Sequence, residues 1–169
     1  MLFSSFEFLF RFLPVFLVIY YLTPKKLRNV TLLGGSIVFY TIGEAGYITI
    51  LLACVLVNYV LARWMYRKNT DGRGIRQKRL LLLALGYDLG VLFFFKYSGL
   101  ASGLPLGISF YTFQIMAYVI DVYRGRIPAE QSLLRLGTYL TMFPQLISGP
   151  ITNYADVRVA LGRERTIKA

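Results

Sequence analysis

Apolar residues run along the chain in long blocks separated by short polar breaks. They do not recur every second residue, as in a half-buried strand, or every third and fourth, as on a helix with one wet face. Six blocks stand out, at about 6–22, 30–42, 47–62, 80–97, 104–123 and 132–151. A helix needs about 20 mostly apolar residues to cross a bilayer, within a range of about 17–25. The pattern therefore predicts an all-α, polytopic membrane protein of about five to six spans. Residues 1–154 form its membrane region and residues 155–169 a polar tail. The first block is interrupted by Arg11 and Pro14 and ends at Thr23-Pro24-Lys25-Lys26. It has no basic residue before Arg11 and no small-residue cleavage site, so it reads as a span and not as a signal peptide. Pro144 and Pro150 make the sixth block a broken or re-entrant segment.

Composition sharpens this reading. The 169 residues are 56% hydrophobic and 16% charged, with mean hydropathy +0.56. Soluble domains carry about 25% charged residues. The apolar content excludes disorder. One cysteine, Cys54, excludes a disulfide scaffold, and the absence of histidine removes the commonest metal ligand and general base. No metal or other cofactor is expected.

The net charge of +11 is placed as a membrane protein places it, not as a nucleic-acid binder does. The breaks at 24–29, 63–79 and 124–131 hold three, seven and two basic residues, while those at 43–46 and 98–103 hold none. The positive-inside rule then puts the N-terminus outside. Nucleic acid is not an expected partner; the lipid bilayer is.

Within the blocks, Asp88 sits mid-segment, where an ionisable residue faces protein or water. It either pairs structurally with a neighbour or serves function. Asn58 is placed to hydrogen-bond to a neighbouring helix. Cys54 reads as a small packing residue, and Arg11 as a snorkelling side chain or a partner of Glu7. Tyr20, Tyr21, Tyr40, Trp64, Tyr66, Tyr97 and Tyr123 lie near block ends, as interface anchors do.

Two stretches are unusually polar or broken for their depth. Leu104–Gln114 carries Gly107, Ser109, Tyr111 and Gln114; on a helix Gly107, Tyr111 and Gln114 share one face. It leads to Asp121, Tyr123 and Arg124, with Asp121 and Arg124 spaced to pair. Met142–Ile151 carries Pro144, Gln145, Gly149 and Pro150. Irregular backbone at membrane depth is tolerated only where it is buried in protein or lines water. These eleven residues are the candidate tunnel or substrate-lining positions, and none is assigned a catalytic role.

The PLGISFYTFQ block at 105–114, Asp121-Val122-Tyr123-Arg124-Gly125, Phe93-Phe94-Phe95-Lys96-Tyr97 and the FPQLISGPI block at 143–151 resemble the membrane-bound O-acyltransferase family, in its alginate O-acetyltransferase-like branch. The resemblance runs in order over nearly the whole chain. It implies a helical ring around a tunnel through the bacterial inner membrane. It also implies an acetyl donor used from one side, a polysaccharide hydroxyl reached from the other, and an extracytoplasmic partner protein. A tunnel histidine would act as general base. This chain has no histidine, so the expectation is an N-terminal fragment that is inactive alone. The connection from Tyr97 to Leu104 is shorter than the family's, and Thr152-Asn153 stands where many relatives carry a basic residue. Two other readings fit the residues: a small transporter or channel subunit, with broken helices and an intramembrane acid, or a non-catalytic remnant.

Overall fold

A computed structural model describes residues 8–24, 27–67, 74–97, 107–142 and 153–162. Among the described residues all regular structure is helical. A π-helical turn, Phe8–Phe12, leads into α1 (Leu13–Leu22); α2 is Arg28–Glu44, and a 3₁₀ turn, Ala45–Tyr47, joins it to α3 (Ile48–Arg67). Then come α4 (Ile75–Tyr97), α5 (Ile108–Tyr123), α6 (Leu133–Thr141) and α7 (Tyr154–Gly162). Pro14 explains the first junction: its ring removes an N–H and forces the α-register to begin anew beside it.

Helices occupy the apolar blocks, with three differences in extent. The basic segment 63–79 is less of a loop than its charge suggests. α3 continues to Arg67, and α4 starts at Ile75 with Arg76, Lys78 and Arg79 in its opening turns. Straight-chain Arg and Lys are good helix formers. Gln77 Oε1 also accepts the Gly74 N–H at 3.0 Å, closing half of a capping box. In the sixth block the described residues form α6, and residues 143–152 lie outside the described ones. Helix α7 opens where the polar tail was expected, and Tyr154 is buried in the core.

Among the described residues two helices are long and apolar enough to cross a membrane, Ile48–Tyr66 and Ile75–Tyr97; Phe10–Leu22 is shorter. The burial pattern of α4 fits an apolar surrounding. Its buried stripe is Gln77, Ala84, Asp88 and Leu92, whereas Leu82, Leu83, Phe93 and Phe94 are exposed. A surface helix in water shows the opposite arrangement. Hydroxyls are handled in the same way. Thr41, Thr138 and Thr141 each donate to the carbonyl four residues back, which hides the group without water.

Helix α3 is central, packing against α2, α4, α5 and α6. One core cluster joins α3, α5, α6 and α7 through Ala62, Met65, Val119, Leu136 and Tyr154. A second joins Tyr40, Leu51, Cys54, Leu92, Ile108 and Tyr111. A third is aromatic: Phe8 meets Phe39 edge-on at 5.1 Å, and Phe12 stacks on Phe16 at 5.9 Å between centroids. Gly35 on α2 lets the Phe16 ring lie against the backbone, since a Cβ there would overlap the ring atoms.

Candidate functional site

Helix α5 carries the first candidate strip. Its N-cap, Gly107, has φ 72°, a left-handed conformation open to glycine at little cost, and its carbonyl receives the Tyr111 N–H at 3.0 Å. Helical spacing then turns Tyr111 and Gln114 inward; both are buried, as are Ile108, Thr112 and Tyr118. Ser109 is half-buried, while Phe110 and Phe113 face outward. Gln114 hydrogen-bonds through its side chain to Tyr139 on α6. Tyr111 lies in the cluster with Tyr40, Cys54 and Leu92. The polar strip is thus packed between helices. Two cavities, of about 440 and 420 Å³, are lined by other residues.

At the other end of α5 the expected pairing of Asp121 with Arg124 is not made. Asp121 pairs with Arg126 at 3.4 Å. Gly125, at φ 72°, turns the chain back, and the Arg126 N–H donates to the Asp121 carbonyl at 3.0 Å. That turn carries Arg126 over Asp121 and leaves Arg124, the C-cap, exposed. Tyr123 is partly buried against the core. Pro144, Gln145, Gly149 and Pro150 lie outside the described residues.

The structure brings together a polar site that the sequence reading missed. Glu130, in the turn before α6, is buried. Oε1 accepts the Gln131 and Ser132 N–H groups at 3.0 Å each, and Oε2 accepts the Tyr154 hydroxyl at 2.5 Å. The Glu130 N–H donates to the Tyr118 hydroxyl at 2.9 Å. Burial by itself would raise the Glu130 carboxyl. The bonds from Tyr154, Ser132 and Gln131, with the charge of Arg135, outweigh it and hold the group below its usual value of 4.5. Tyr154 moves the other way: burial, then its bond to Glu130, raises it, so it stays a protonated donor. The available signal was local, an acid two residues before a serine N-cap, where a carboxylate meets free backbone N–H groups. The 420 Å³ cavity opens beside this site, lined by Tyr66, Pro128, Glu130, Gln131, Arg135 and Arg158. Nearby, Tyr59 donates to the Gln131 carbonyl at 2.7 Å and receives Arg63 at 2.9 Å. This corner presents arginines and one fixed carboxylate to a polar cleft.

In the interior, Asn58 on α3 donates to Asp88 on α4 at 2.7 Å, so the two mid-block polar residues singled out in the sequence are each other's partners. Cys54 packs in the core as a small side chain. Arg11 is exposed and lines the 440 Å³ groove with Phe12, Val15, Phe16, Ile19 and Gly35; Glu7 lies outside the described residues. Tyr21, Trp64, Tyr66 and Tyr97 are exposed at helix ends. Tyr20 is half-buried, under the Arg28 guanidinium at 5.5 Å. Tyr40 is not an anchor: it is buried in the second core cluster, on the face of α2 that meets α3.

The chain is 37% identical over 180 aligned residues to a probable alginate O-acetylase of Pseudomonas putida, covering 93% of this chain and 36% of that protein. It is 39% identical over 166 residues to the corresponding protein of Pseudomonas fluorescens, covering 93% and 32%. A peptidoglycan O-acetyltransferase of Helicobacter pylori is 27% identical over 203 residues, covering 93% and 38%. The chain spans about a third of the length of the curated relatives it matches. No family model matches it, and no solved structure does. These relatives bear out the resemblance to membrane-bound O-acetyltransferases carried by the PLGISFYTFQ and FPQLISGPI blocks.

Proposed function

We propose that this membrane protein, related to alginate O-acetylases, works in the transfer of acetyl groups to polysaccharide hydroxyls. The observation that carries the proposal is the likeness to those enzymes over 93% of the chain. The helices are proposed to form five to six spans of the bacterial inner membrane, with the N-terminus outside and the three basic segments inside. They would contribute part of a helical ring around a tunnel. On this reading Gly107, Ser109, Tyr111 and Gln114 support the tunnel wall together with the 144–150 stretch. The Asp121–Arg126 pair and the Glu130 corner then lie at the cytoplasmic mouth.

The chemistry such a site performs is attack of an acceptor hydroxyl on an acyl carbonyl, helped by a general base. The chain has no histidine, so these residues position and enclose the reactants and do not supply that base. The donor enters from the cytoplasmic side, and an extracytoplasmic protein presents the acceptor. Buried polar groups in a low-dielectric wall are well suited to orienting a hydroxyl, since each hydrogen bond there lacks competition from water.

A transporter reading predicts a different phenotype, which makes the proposal testable. In the source cell, Gln114→Ala is expected to lower the O-acetyl content per sugar of the surface polysaccharide, with polysaccharide yield and membrane level of the protein unchanged. A fall in yield with acetyl content per sugar unchanged would overturn the acetyl-transfer reading in favour of transport.

A further inference from the structure

Asn58 and Asp88 are 0% and 1% exposed, and both lie mid-helix, on α3 and α4. Asn58 Nδ2 uses both of its hydrogens, one on the Cys54 carbonyl at 3.0 Å and one on Asp88 Oδ1 at 2.7 Å. Two acceptors at that nitrogen fix which way the amide points. Each side chain then has one oxygen left, Asn58 Oδ1 and Asp88 Oδ2. Neither has a hydrogen-bond partner among the described residues.

The two leftover atoms become complementary once a single proton is supplied. Both are acceptors if Asp88 is a carboxylate, and neither can satisfy the other. With one proton on Oδ2, Asp88 becomes a donor and Asn58 Oδ1 is the acceptor without a partner in the same buried pair. One proton therefore satisfies both atoms. The surroundings agree. The titratable groups that interact with Asp88 are Cys54 on α3 and Tyr87 on α4, a thiol and a phenol, neither of which can supply a positive charge. Among the described residues neither ion pair involves Asp88. An unpaired carboxylate at this depth would carry the full cost of a buried charge.

We infer that Asp88 and Asn58 form a proton-binding site. Asp88 is held as the neutral acid, its Oδ2 hydroxyl donates to Asn58 Oδ1, and Asn58 Nδ2 donates to Asp88 Oδ1. The result is a closed carboxyl–carboxamide ring that clasps α3 to α4 without placing a charge in the membrane. The inference rests on the packing of these two helices and holds whether or not the protein transfers acetyl groups.

Infrared spectroscopy of the protein in native-membrane nanodiscs at neutral pH tests it, with aspartate labelled by ¹³C at the side-chain carboxyl. The chain has four aspartates, Asp71, Asp88, Asp121 and Asp156. The expected spectrum has a carboxylic-acid C=O band, shifted by the label and amounting to one aspartate in four. That band is lost in Asp88→Asn, in which the new amide makes both ring bonds with no proton. A spectrum showing only carboxylate bands would overturn the inference. So would an acid band that survives Asp88→Asn, or one that disappears when sodium replaces potassium at constant ionic strength, which would identify a cation bridging the two oxygens.

Discussion

The Tyr154 hydroxyl donates to Glu130 Oε2 at 2.5 Å, and this bond ties α7 to the turn before α6. Tyr154 also meets Tyr118 and Tyr139 edge-on, each at 5.0 Å between ring centroids. The carboxylate is buried and the bond is charge-assisted, so it is a strong one. The Arg158–Glu130 ion pair, at 3.9 Å with a 43% exposed arginine, is a minor contributor. Tyr154→Phe keeps the ring packing and removes only the donor. It is expected to cost about 1.5–3 kcal/mol, in the range for hydrogen bonds to charged groups. Thermal unfolding in detergent checks this, with Arg158→Ala expected to cost less than about 1 kcal/mol.

Acid should weaken the same corner. The Glu130 carboxyl is held below 4.5, so its ionised form is favoured by folding. For a lowered carboxyl the contribution is fully present above the unfolded value and is lost as pH falls through the folded one. Wild-type melting temperature is therefore expected to drop as pH is taken below about 4.5, with a shallower drop in Glu130→Gln. Parallel acid profiles for the two proteins would contradict the assignment.

The crossing of α1 and α2 depends on a missing side chain. Gly35→Ala drives a methyl into the Phe16 ring and is expected to destabilise by about 1–3 kcal/mol, the range for overpacking. Gly137→Ala is the control. Its Cβ would sit 3.5 Å from Leu33, an ordinary contact. There the gain in helix propensity, up to about 1 kcal/mol, leaves stability equal or higher. Thermal melts of both variants decide the point.

The proposed topology makes a labelling prediction. Single cysteines at 44 and 71, in a Cys54→Ala background, are expected to label from opposite sides of intact cells. An impermeant maleimide should reach position 44 from outside, and position 71 only after permeabilisation. The basic segments at 63–79 and 124–131 set this expectation.

Much of this fold was legible because a membrane simplifies the code. Apolar block length fixed the helices, and the mid-block Asn58 and Asp88 announced themselves by their cost. Boundaries were less legible at 63–79, where helix-forming Arg and Lys continue α3 and α4 past the apolar limit. The Asp121–Arg126 pair escaped because Gly125 folds the chain back just past the helix end, a turn that helical spacing does not foresee. Tyr40 misled because position along a helix says nothing about which face is covered. The Glu130 corner was hidden for a different reason. Its partners Tyr118 and Tyr154 are 12 and 24 residues away, on helices that only the tertiary fold brings together.

The central claim, acetyl transfer to a polysaccharide, is tested most directly by the alkali-labile acetyl content of the surface polysaccharide in the source cell. It would be measured with the gene intact, deleted and restored. The account predicts that deletion removes most of the ester-linked acetyl, that polysaccharide yield is unchanged, and that restoring the gene recovers the acetyl. Acetyl content that is the same in all three strains would contradict it.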